Sequence, residues 1–167
     1  MKNIILIGMP GAGKSTIGVV LAKRIGYRFV DSDLVIQEKK GMLLWQIIEE
    51  KGIDGFLKVE NDINASLRMD KSVIATGGSA IYGSDAMAHF KQTGIVIYLR
   101  LPFTSIAERL DNLAERGVTM QKGETLEELY AERRPYYEKY ADIVIECEGK
   151  SIREITAEII ADIRKRE

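Results

Sequence analysis

A chain of 167 residues is sized for one domain around a single hydrophobic core. Its 24 basic and 25 acidic residues leave a net charge of −1, so no overall field draws it to nucleic acid or to a membrane surface. Apolar residues make up 46% of the chain without any run of the roughly 18 needed to span a bilayer, the start NIILIGM is too short for a signal peptide, and a lone Cys147 excludes an internal disulfide. A cytoplasmic protein is expected.

The first strand candidate is Asn3–Ile7, and it runs into GMPGAGKST at 8–16. Gly8, Gly13, Lys14 and Ser15 fit G-x-x-x-x-G-K-[ST], between an apolar strand and the helical pattern Lys14–Ile25. In such a loop successive N–H groups, here from Gly11, Ala12, Gly13, Lys14, Ser15 and Thr16, converge on phosphate oxygens, and the following helix adds its positive end. Lys14 is placed to reach the β- and γ-phosphates and Ser15 to ligate Mg²⁺. A side chain at Gly11 or Gly13 would crowd the phosphate or demand a forbidden backbone angle.

A second strand, Tyr27–Asp31, closes on FVDSD. Strand alternation turns Asp31 and Asp33 to one face beside the cradle. Asp31 is read as a Mg²⁺ ligand, directly or through water. Asp33 is read as the group that aligns or deprotonates an acceptor hydroxyl, a positioning role that phosphoryl transfer needs. Asp33 also suits an N-cap for LVIQEKK.

Helical patterns Leu34–Lys39, Leu43–Glu50 and Ile53–Arg68 follow, an insertion over the sheet edge where an acceptor pocket can form. Strand Ser72–Ala75 leads to TGGSA, where Gly77 and Gly78 either let the backbone approach a small ligand or make a plain turn. His89, in the helical stretch Asp85–Lys91, has no partner histidine and reads as a surface residue. Strand Ile95–Leu99 and helix Thr104–Leu113 come next. AERGVTMQKGET, at 114–125, is a polar connector or a lid. The chain ends with helix Leu126–Tyr140, strand Ile143–Glu146 and helix Ile152–Arg164. Alternating strands and helices imply a three-layer α/β fold, with a central parallel sheet of about five strands and right-handed crossovers. Ligands then belong at the carboxyl ends of the strands.

Taken in order, the P-loop, DSD, the glycine pair after the third strand and ERRPYYEKYAD resemble the shikimate kinase family, small P-loop kinases of nucleoside-monophosphate-kinase type. The resemblance runs from Lys2 to about Arg164. It implies a single, monomeric kinase domain with acceptor-binding helices at about 33–69 and a lid at about 112–125. It also implies ATP and Mg²⁺, with a small-molecule acceptor and no nucleic acid or membrane partner. By the same likeness Lys14, Asp33 and Arg116 are catalytic, and Ser15 and Asp31 serve the metal. Arg109 lies against adenine, Gly77, Gly78 and Ser79 line the acceptor pocket, and Arg133 grips an acceptor carboxylate. Guanidinium groups suit these tasks because their planar fork bonds two oxygens at once.

The chain departs from the family pattern at three places. GFLKVE puts Leu57 where the family has an arginine between Phe56 and Glu60. Losing one charged hydrogen bond of about 1.5–3 kcal/mol weakens acceptor binding by about 10- to 150-fold. Ser79 replaces a third pocket glycine, and Arg116-Gly117 replaces Arg-Pro in the lid. The leading expectation is conversion of shikimate to shikimate 3-phosphate. Another small hydroxy or amino acid such as homoserine is second, a non-catalytic nucleotide-binding regulator third, and a nucleoside monophosphate kinase ranks below these.

Overall fold

The computed structural model describes residues 2–110 and 120–167. Five strands, β1 (Asn3–Ile7), β2 (Arg28–Asp31), β3 (Ser72–Ala75), β4 (Gly94–Arg100) and β5 (Ile143–Glu146), form one sheet in the order β2-β3-β1-β4-β5. Every neighbouring pair is parallel, with Ile5 opposite Ile74 and Val96, and Asp31 opposite Ala75. Every residue of β1 and β3 is buried on both alternating faces, as strands covered by helices on two sides must be, whereas the edge strand β5 alternates buried and exposed.

The helices are α1 (Lys14–Ile25), α2 (Ser32–Lys40), α3 (Leu44–Ala65), α4 (Ser84–Thr93), α5 (Phe103–Arg109), α6 (Leu126–Tyr140) and α7 (Ile152–Lys165). α1 packs on β3 and α7, α4 and α6 pack on β4, and α3 lies against α4. The main core gathers Ile4–Ile7, Val73, Ile74 and Val96–Leu99 with Leu21, Phe90 and Ile159, and a smaller cluster of Ile36, Ile47, Phe56 and Ile63 joins α2 to α3.

The two helices expected at 43–68 follow one another without a loop and are counted together as α3, yet Gly52 sits inside it at φ 75° and ψ 175°. That backbone belongs to no helix, so the split expected before Ile53 is physically present as a kink. α2 begins at Ser32 rather than Leu34 because Asp31 caps it, its side chain accepting from the N–H groups of Asp33 and Leu34. A 3₁₀ turn, Ala80–Tyr82, was not anticipated. The expected helix over 104–113 is described to Arg109, and residues 111–119, with Arg116 and most of the candidate lid, lie outside the described residues. No described helix is long and apolar enough to cross a membrane.

Candidate active site

Strand order reverses at β1: the chain passes to one side for β2 and β3 and to the other for β4 and β5. A crevice at the carboxyl ends of the strands follows from that reversal. It is lined by the loop 10–16, Asp33, the turn 76–79, Phe56 and Glu60 of α3, and Arg133 of α6, with a volume of about 400 Å³. Thr76 ties its floor together, donating from both its N–H and its hydroxyl to the carbonyl of Leu6.

The cradle adopts a conformation that glycine alone takes easily. Gly11 and Gly13 have φ of 81° and 94°, and Gly13 is the N-cap of α1. Lys14 is buried, its Nζ donating to the carbonyls of Gly8 at 2.7 Å and Met9 at 2.8 Å. Burial lowers its pKa to about 8, against the favourable charges of Asp33, Asp31 and Glu60. Beside the loop, Arg109 Nη1 donates to the carbonyl of Gly11 at 3.0 Å.

Asp31 and Asp33 both reach the cradle, but by a different route from strand alternation. Asp31 ends β2 and is the N-cap, while Asp33 belongs to the first turn of α2. The capping role foreseen for Asp33 therefore falls to Asp31. Asp31 Oδ2 accepts from Ser15 Oγ at 3.3 Å. A serine hydroxyl and a carboxylate are hard oxygen donors, the type Mg²⁺ takes alongside waters and substrate phosphates. Asp33 lines the crevice, and burial with the nearby charge of Asp31 raises its pKa to about 6, opposed by Lys14.

The glycine pair serves close approach. A Cβ on Gly77 would lie 2.6 Å from Asp33 Oδ1 and 3.1 Å from Glu60 Oε2, and one on Gly78 would lie 2.7 Å from Arg133 Nη1. Arg133 is completely buried, its guanidinium 5.5 Å from the centre of the Tyr82 ring. Tyr137, one turn further along α6, donates its hydroxyl hydrogen to the carbonyl of Gly78 at 2.7 Å and so locks the turn onto the helix. Ser79 Oγ donates to Glu60 Oε1 at 2.7 Å.

Lys14, Ser15, Thr16, Gly11, Gly13, Asp33, Gly77, Gly78, Ser79 and Arg133 thus line one crevice, with Asp31 adjoining through Ser15. Ala12 is buried behind the loop, and Arg109 sits at its rim. The family pattern sets Phe56 and Glu60 on the helix over the acceptor pocket but gives neither a role of its own, and Tyr137 received none. The available signal was the i, i+4 spacing of Phe56 and Glu60, which puts both on one face of α3. Leu57 packs against the smaller apolar cluster, so no guanidinium approaches the crevice from position 57.

A phosphate cradle opening directly onto a small pocket with a carboxylate and a guanidinium defines a P-loop kinase acting on a small molecule. The family model for shikimate kinase matches residues 10–164. A shikimate kinase of Sulfurihydrogenibium sp. is 35% identical over 167 residues, 99% of this chain and 100% of that protein. One from Francisella philomiragia is 40% identical over 162 residues, 95% and 92% of the two chains. The solved shikimate kinase of Acinetobacter baumannii in complex with shikimate superposes with a TM-score of 0.88 at 31% identity, covering 100% of this chain and 95% of that one. The chain belongs to the shikimate kinase family.

Proposed function

We propose that the protein transfers the γ-phosphoryl group of ATP to a hydroxyl of shikimate, giving ADP and shikimate 3-phosphate. The observation that carries the reading is the single crevice in which Lys14, Asp33 and Arg133 meet. ATP phosphates lie in the loop 11–16, with Lys14 turned from the Gly8 and Met9 carbonyls onto phosphate oxygens. Ser15 and Asp31 hold Mg²⁺, which neutralises phosphate charge when bound. Arg109 packs against the adenine ring. Asp33 takes the hydrogen bond, and then the proton, of the attacking hydroxyl. Gly77, Gly78 and Ser79 give the acceptor its close backbone wall, and Arg133 pairs with its carboxylate.

The test is ADP release from ATP and Mg²⁺ over a panel of shikimate, homoserine and AMP. Shikimate is expected to stimulate release most strongly. Greater stimulation by homoserine or AMP would reassign the acceptor, and ATP binding without stimulation by any of them would make the protein a nucleotide-binding regulator.

A further inference from the structure

The crevice holds a polar pair that phosphoryl transfer itself does not require. Glu60 and Ser79 are 2% and 5% exposed, and the Ser79 hydroxyl donates to Glu60 Oε1 at 2.7 Å. The other oxygen, Glu60 Oε2, is enclosed and has no hydrogen-bond partner among the described residues. Buried oxygens of this kind are nearly always satisfied, so this one awaits a donor. Its direction is fixed: Oε2 and Asp33 Oδ1 both crowd the Cβ position of Gly77, so the two carboxylates converge on the same strip of the acceptor wall.

We propose that Ser79 is a positioning residue that pins Glu60 through Oε1, so that Oε2 receives a second hydroxyl of the bound acceptor and the pair selects for a polyhydroxylated substrate. The proposal rests on the acceptor assignment above and adds to it a residue that chooses among acceptors. The hydrogen bond joins the turn after β3 to α3, two elements whose relative position shapes the pocket. Without it the Glu60 carboxylate is free to rotate about its terminal torsion, which is soft. Groups facing Glu60 from the surrounding elements are Lys14 of α1, Asp33 of α2, and Arg133 and Tyr137 of α6. Burial, assisted by Asp33, lifts the carboxyl to about 7, and the Ser79 hydroxyl is the foremost influence holding it down, ahead of Arg133 and Lys14. Ser79 therefore favours the charged, accepting form of Glu60 as well as holding it in place.

The experiment compares the full-length protein with Ser79→Ala, Ser79→Thr and Glu60→Gln. For Ser79→Ala we expect the acceptor KM to rise about 5- to 15-fold, the worth of one hydrogen bond, with kcat and the ATP KM within twofold. Ser79→Thr restores the acceptor KM. Wild-type enzyme discriminates against a shikimate analogue lacking one non-reacting hydroxyl, and Ser79→Ala and Glu60→Gln lose that discrimination. In ligand-free protein, titration of the ¹³C-labelled Glu60 carboxyl moves alkaline by about one pH unit in Ser79→Ala. That readout needs no acceptor, so it separates failure of this proposal from failure of the acceptor assignment. An unmoved Glu60 titration, or unchanged discrimination in Ser79→Ala with an active wild type, overturns the proposal.

Discussion

Ser15 Oγ stands 3.3 Å from Asp31 Oδ2, while the other oxygen of the same carboxylate caps α2 through the N–H groups of Asp33 and Leu34. One side chain therefore fixes the helix that carries Asp33 and faces the hydroxyl at the head of α1. The cap orients Oδ2, because a carboxylate bonded through one oxygen has little freedom left for the other.

Separating the two duties is straightforward. Asp31→Asn keeps a good N-cap but removes the charge, so half-maximal Mg²⁺ for turnover should rise about tenfold or more while stability stays within about 0.5 kcal/mol. Asp31→Ala loses both, and costs about 1 kcal/mol of folding stability in addition. A Mg²⁺ titration of turnover and a urea denaturation curve check the two halves. Equal Mg²⁺ requirements in wild type and Asp31→Asn would remove Asp31 from the metal.

Asp33 should show function and stability in opposition. Its carboxyl titrates at 3.8 in an ordinary setting and at about 6 in the fold. Folding therefore takes up a proton between those values, so stability from this group falls as pH rises through the window and stays lower above it. Asp33→Asn removes that burden and should stabilise the protein at pH 7.5 by about 1–2 kcal/mol, after allowance for its partial contact with solvent. Turnover should fall about 100- to 10,000-fold, the scale of a lost general base. In wild type, turnover should rise with pH through about 6 as the carboxylate forms. Undiminished activity in Asp33→Asn would sink the assigned role.

The cradle was legible because its signal is local: an apolar run, glycines with positive φ, then Lys-Ser at the head of a helix. The β-strand cores were legible for the same reason, since continuous Ile and Val runs fit strands buried on both faces. Asp33 does line the crevice beside the cradle, but the premise of strand alternation fails. It lies on a helix, because Asp31 ends the strand and caps α2 in the same step. Glu60 matched the family pattern, but its burial stayed hidden because a glutamate on an amphipathic helix looks like any solvated one. Its neighbours Ser79, Asp33, Arg133 and Lys14 come from four other parts of the chain, so its enclosure is non-local. Leu57 could be seen as a departure, but its place in the apolar cluster could not.

Gly77→Ala offers a test of the acceptor wall that leaves the cradle intact. The added methyl would stand 2.6 Å from Asp33 Oδ1 and 3.1 Å from Glu60 Oε2, so at least one carboxylate must move. Displacing a reacting group by about 1 Å costs about 100-fold in rate. We expect kcat/KM for the acceptor to fall by about that factor, with the dissociation constant for ADP within twofold. Equilibrium dialysis and steady-state kinetics give both numbers. Loss of ADP affinity to the same degree would mean that Gly77 supports the cradle instead.

If Lys14 holds the ATP phosphates as proposed, it links nucleotide binding to pH. Burial leaves its ammonium with a pKa of about 8 in the free protein, where it bonds to the Gly8 and Met9 carbonyls. Phosphate oxygens at the same place favour the charged form, so ATP binding must draw a proton back onto any lysine that has lost one. The cation is present below about 8 and disappears above it, so ATP affinity should decline as pH rises through that value. At pH 8 the uptake should be about half a proton per ATP, measurable by calorimetry in two buffers of different ionisation enthalpy. Lys14→Ala should abolish the uptake and reduce kcat by about 100- to 1,000-fold, the cost of one preorganised donor at a developing charge. Proton uptake surviving in Lys14→Ala would assign it to another group and detach Lys14 from the phosphates.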